Sequence, residues 1–129
     1  LLFAPPYYPA VNSSDNELVQ DLMKLIKETA KQNFDAELTQ VHYFNGISDL
    51  SYLNYQGNST GWIDYKNNTP VWNRSYTIPF EAMEQLKAPV MNVGPFGKDP
   101  HKRTERLHME SAFVIIPAVL ERLIKSMCE

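Results

Sequence analysis

A chain of 129 residues, 43% hydrophobic and 21% charged, has the make-up of a folded globular domain, which sets aside disorder and fibrous architectures. Its formal net charge of −3 leaves no concentrated basic face for nucleic acid, and no apolar run approaches the ~20 residues of a membrane span. The one cysteine, Cys128, cannot form an internal disulfide, so a cytoplasmic location is expected.

In chain order, Leu1 to Pro9 lacks a Met and is rich in proline, and reads as an extended segment already in progress. The chain is therefore expected to be cut from a longer one. Ser14-Asp15-Asn16-Glu17 has the capping-box pattern, and Leu18, Leu22, Leu25, Ile26 and Ala30 at helical spacing predict an amphipathic helix over about 15–33. Leu38 to Phe44 is rich in β-branched and aromatic residues and predicts a strand, ending at Asn45-Gly46. Residues 54–76 are crowded with Asn, Gly, Ser and Thr, with Tyr55, Trp62, Tyr65, Trp72 and Tyr76 among them, and read as a long anchored loop. The four Asn-x-Ser/Thr triplets, at Asn12, Asn58, Asn67 and Asn73, are read as chance matches rather than glycosylation sites.

Ile78 to Leu86 predicts a short helix with Pro79 in its first turn, and Pro89 to Val93 a short strand running into the loop Gly94 to His101. From about Thr104, the apolar positions Leu107, Ala112, Phe113, Ile116, Leu120, Leu123, Ile124 and Met127 mark a long final helix, kinked at Pro117. Strands alternating with helices predict an α/β sheet with parallel neighbours, whose ligands gather beyond the C-terminal strand ends. If the two strands are parallel, the loops Asn45 to Asp49 and Gly94 to His101 share one rim.

Two readings of His101 stand side by side. In one, Asp99 caps the final helix, Pro100 is its first residue and His101 faces solvent. In the other, the glycines of the loop let its backbone approach a ligand and fix the imidazole. Zinc needs three or four ligands, and nothing near His101 in the chain supplies a second at usual spacing. His42 reads as a hydrogen-bonded structural residue within a strand. His108, seven residues after His101, is structural or supports the site from behind. Asp49 is either a turn residue or a rim carboxylate, and Lys98, Lys102, Arg103 and Arg106 form the densest basic cluster. No phosphate loop, Cys-x-x-Cys pair, His-Glu-x-x-His or Gly-x-Ser-x-Gly elbow is present.

Taken in order, Asn16-Glu17-Leu18-Val19, Gly46-Ile47-Ser48-Asp49 and Val93-Gly94-Pro95-Phe96-Gly97-Lys98-Asp99-Pro100-His101-Lys102-Arg103-Thr104-Glu105, after Pro5-Pro6, resemble the final stretch of the dinuclear-zinc peptidase family of aminoacylases and carboxypeptidases. Tyr7 to Ser14, His42 to Tyr52 and His101 to His108 look like its arginine-utilisation (RocB-type) branch. The resemblance implies that residues 1–129 are the C-terminal portion of a catalytic domain, part of a layered α/β/α sandwich, without its N-terminal half or its inserted lid domain. It implies hydrolysis of an amide bond of an N-acyl amino acid or small peptide, with two zinc ions in the whole enzyme and His101 as the one ligand here. Asp49, Arg103, Glu105 and Asn45 would bind substrate or support the metal, and the general-base Glu would come from outside this chain. The partners implied are the substrate, the rest of the same protein, and a second subunit joined through the lid domain. The isolated chain would be inactive. One departure is that the family's His-x-Pro-Asn-Glu stands here as His-Lys-Arg-Thr-Glu. The alternative is a non-catalytic α/β binding or interaction module with no metal.

Overall fold

In a computed structural model that describes residues 8–42, 48–57 and 60–128, the first helix, α1 (Glu17–Phe34), starts from Asn16, whose side-chain oxygen accepts from the Val19 N–H at 3.2 Å. The cap is therefore Asn16 and not Ser14, because a capping oxygen must sit on the extended residue just before the first helical one. Ser14 instead donates its N–H to Asn12 Oδ1 at 2.9 Å. The helix ends at Asp35, which takes the left-handed conformation (φ 50°) and turns its N–H onto the carbonyls of Ala30 and Lys31.

Contacts divide the chain into two units, Leu1–Ser14 with His42–Val90, and Asp15–Val41 with Met91–Glu129. The second is built on α1 and α4 (Ile116–Cys128). Ile26, Ala30, Ile115 and Val119 are buried where these helices meet, and Phe34, Leu38, Met91, Val93 and Leu123 pack round them. Ala30 is wholly buried, and its small side chain lets the helices approach closely. Upstream of α4, residues Ser111–Ile115 form a π-turn, closed by the Ile116 N–H on the Ser111 carbonyl. Pro117 follows at once. It has no N–H to give a carbonyl of the preceding turn.

Residues 38–42 and 89–93 carry no strand; residues 43 and 44 of the first predicted strand lie outside the described residues. Leu38, Met91 and Val93 satisfy their apolar character by seating on the helix pair. The strands that do form are β1 (Gly97–Lys98) and β2 (Arg106–Leu107), an antiparallel pair in the register Gly97 with Leu107 and Lys98 with Arg106.

The first unit contains a 3₁₀ turn (Asp49–Tyr52), α2 (Gly61–Asn67) and α3 (Phe80–Leu86). The helix α2 lies inside the stretch read as a long loop. Its polar residues hide an aromatic core of Trp62, Tyr65, Ile78, Phe80 and Met83, bordered by Tyr52, Tyr55, Trp72 and Tyr76. Lys66 completes the cluster, with its ammonium 5.3 Å from the Trp62 ring and 5.7 Å from the Trp72 ring. Among the described residues no helix is long and apolar enough to cross a membrane.

Candidate functional site

His101 sits on the loop of the β1–β2 hairpin, not at the start of a helix. Lys102 N–H donates to the Asp99 carbonyl at 3.1 Å, which closes a four-residue turn with Pro100 second and His101 third. His101 has φ 62°, the positive value that the third position of a type II turn demands and that glycine usually supplies. Asp99 is also left-handed, at φ 55°.

Two side chains hold this backbone in place. Glu105 Oε2 accepts from the His101 N–H at 3.2 Å, and the Glu105 N–H closes a second turn on the Lys102 carbonyl at 3.1 Å. Arg106 donates to the Asp99 carboxylate at 3.1 Å. At the base, β1 and β2 approach closely, and a Cβ on Gly97 would lie 3.0 Å from the Arg106 carbonyl. The His101 imidazole is exposed and has no hydrogen-bond partner among the described residues.

Glu105 lies four residues after His101, as the family pattern has it, but in the hairpin; the expectation that it opens the last helix is corrected. That helical stretch begins at Met109, after His108. The expected cap of Asp99 and Pro100 is corrected too, since His108 does this work. Its Nδ1 accepts from the Ser111 N–H at 3.2 Å and its carbonyl from the Ala112 N–H at 3.0 Å. Its own N–H donates to the Phe96 carbonyl at 2.9 Å, so the cap also fixes the hairpin to the helix. Replacing His108 with Ala should therefore cost about 1 kcal/mol and speed exchange of the Ser111 amide, whereas Asn, a good cap, should restore most of both. Equal exchange in the two variants would argue against a cap.

Arg103 is exposed in the same hairpin loop as His101 and Glu105. Asp49 belongs to the other unit, where it is the exposed first residue of the 3₁₀ turn. Asn45 lies outside the described residues. The hairpin thus gathers His101, Arg103 and Glu105, while Asp49 is part of a different body. Among the described residues no three His, Cys, Asp or Glu side chains converge as a metal site.

Asp49 stands near a second feature. A pocket of about 370 Å³ is lined by Tyr52, Tyr76, Thr77, Ile78, Pro79 and Met83. Burial raises the Tyr52 phenol above its ordinary range, with smaller contributions from Tyr76, Tyr8 and Asp49. Behind it, burial and a hydrogen bond with Tyr76 push Tyr65 up to about 12 against the opposing bond with Thr69. The phenols stay neutral at physiological pH. Sequence reasoning missed this pocket, although the recurring tyrosines were its signal.

It missed Ser13 as well. Ser13 Oγ accepts from Asn54 Nδ2 at 3.1 Å and from the Val90 N–H at 3.0 Å, tying together three distant segments of the first unit. His42 meets its structural reading in part: Nδ1 lies 3.0 Å from Ser14 Oγ, but outside any strand.

Two curated proteins are similar to this chain. The chain is 42% identical over 128 residues to the uncharacterised protein YqjN of Bacillus subtilis (strain 168), covering 98% of this chain and 23% of that protein. It is 31% identical over 127 residues to Protein RocB of the same organism, covering 95% of this chain and 22% of that protein. The chain is thus a distant homologue of RocB along nearly all its length, and spans less than a quarter of the length of the relatives it matches. No family model and no solved structure matches it.

Proposed function

We propose that residues 1–129 are the C-terminal portion of the catalytic domain of a zinc-dependent amidohydrolase of arginine-utilisation type, acting on an N-acyl amino acid or small peptide. In this reading the chain completes a layered α/β/α sandwich whose other strands come from the rest of the protein. His101 gives one zinc ligand. Asp49, Arg103, Glu105 and Asn45 contribute to the rim. The remaining ligands and the general base lie elsewhere in the protein, and a second subunit joins through the lid domain.

The observation that carries this reading is the backbone of His101. A non-glycine residue at φ 62° is disfavoured, and it persists here because Glu105 and the Asp99 turn hold it. The result is an exposed imidazole on a braced corner, with its ring nitrogens open to a ligand among the described residues. The similarity to RocB supports the arginine-utilisation assignment.

Zinc, when bound, would lower the pKa of its water so that the hydroxide form is available as a nucleophile near neutral pH. What these residues contribute is position: Glu105 sets the His101 backbone, and the Asp99–Arg106 pair holds the turn that carries it. In the full-length protein, His101→Ala should remove zinc and lower kcat/KM toward N-acyl amino acids by roughly a hundredfold or more, with Tm little changed. Unchanged zinc content and turnover would remove His101 from the site. The isolated 129-residue chain should show neither stoichiometric zinc nor turnover. A second reading, a binding module without metal, draws on the tyrosine-lined pocket, and a full-length protein with no metal-dependent hydrolysis would favour it.

A further inference from the structure

The final helix is apolar on more of its surface than its own unit covers. At 100° per residue, Ile116, Val119 and Leu123 fall on the side that meets α1. Pro117, Leu120, Ile124 and Met127 follow one another at spacings of three, four and three residues, which places them in one strip about a quarter turn away. Ile124 and Met127 are each 59% exposed, and Pro117 is exposed too. Phe113 and Met109, at 68% and 72% exposed, extend bare apolar surface into the turns before the helix. A strip with 3–4 spacing is the pattern by which a helix packs on another helix or a sheet.

We propose that this strip is an intramolecular interface, covered by the remainder of the same, longer polypeptide. The proposal rests on the reading of the chain as one portion of a longer protein, and not on the hydrolase chemistry. More than three-quarters of each relative lies outside the matched stretch, so a protein of their length has ample chain to cover the strip. A second copy is a poorer occupant. The strip contains no polar residue to set register, and the flanking charges Glu121 and Lys125 are already paired at 2.6 Å within the helix.

Hydroxyl-radical footprinting of the native full-length protein tests this, with each side chain referred to its own rate in urea. Ile124 and Met127 should be protected as strongly as the buried Val119. Ile124→Lys should lower the Tm of the full-length protein by on the order of 5 °C without changing its oligomeric state. Free reaction of Ile124 and Met127, or a thermally silent Ile124→Lys, overturns the proposal. Protection that disappears when an oligomer is diluted to monomer also overturns it, and assigns the strip to a second copy. Loss of zinc-dependent turnover in the unsubstituted protein would instead strike the hydrolase reading and leave this interface standing.

Discussion

Phe80→Ala is expected to destabilise the first unit by about 3–5 kcal/mol, the range for emptying a buried aromatic site. Phe80 is 2% exposed, and its ring centroid lies 4.1 Å from Trp62, 5.8 Å from Tyr55 and 6.0 Å from Trp72. It is the ring that the other aromatics share. Neither α2 nor α3, of seven residues each, would hold its shape in isolation, so both depend on this contact. Removing the ring leaves a cavity between rigid partners that cannot collapse into it. Phe80→Leu keeps part of the volume and should cost about half as much. Urea unfolding followed by tryptophan fluorescence reports the change directly through Trp62 and Trp72. A loss below about 1 kcal/mol for Phe80→Ala would mean that the cluster is not the core of this unit.

The same cluster marks where the sequence is hard to read. Helix α1 is legible because its apolar residues repeat at helical spacing, and α3 because Pro79 marks its start, and the bounds of both fall close to the predicted ones. The last helix is legible in its apolar spacing but not in its start, which lies at Met109, with α4 from Ile116, rather than near Thr104. By contrast, α2 sits among Asn, Gly, Ser and Thr, and its buried Trp62 and Tyr65 are too few to show a period. Its fold is fixed by contact with Phe80, 18 residues after Trp62, which no local window includes. The segments Leu38 to Phe44 and Pro89 to Val93 mislead for a related reason. β-branched and aromatic residues fit a strand, but they equally fit an irregular stretch lying on a helix pair.

The placement of His101 in a loop is legible in the sequence, and the hairpin form of that loop is not. Pro100 fits the first position of a helix as well as the second position of a type II turn, since both need φ near −65°. The choice between them falls to interactions seen only in three dimensions: Glu105 reaching back to the His101 N–H, and Arg106 reaching Asp99. The cap role of His108 was equally hidden, because histidine is not among the usual capping residues.

Val119→Asp tests the other core, and should cost on the order of 3–5 kcal/mol at neutral pH. Val119 is 1% exposed where α4 meets α1, with Ile26, Ala30 and Ile115 about it, and none of these offers a hydrogen bond or a positive charge. Burial must therefore raise the introduced carboxyl's pKa in the folded protein above its unfolded value of about 4. The sign follows. Between the unfolded and folded values the native state holds more protons than the unfolded one, so stability relative to wild type falls as pH rises through that window. Below pH ~4 both states are neutral, and only the cost of a buried polar group and lost apolar contact remains. The variant should thus recover part of its deficit on acidification, whereas Val119→Asn, which cannot ionise, should show a deficit that does not change with pH. Urea denaturation of both variants and wild type from pH 4 to 8 separates the two. Parallel curves would show that position 119 is open to water, and would contradict the α1–α4 packing.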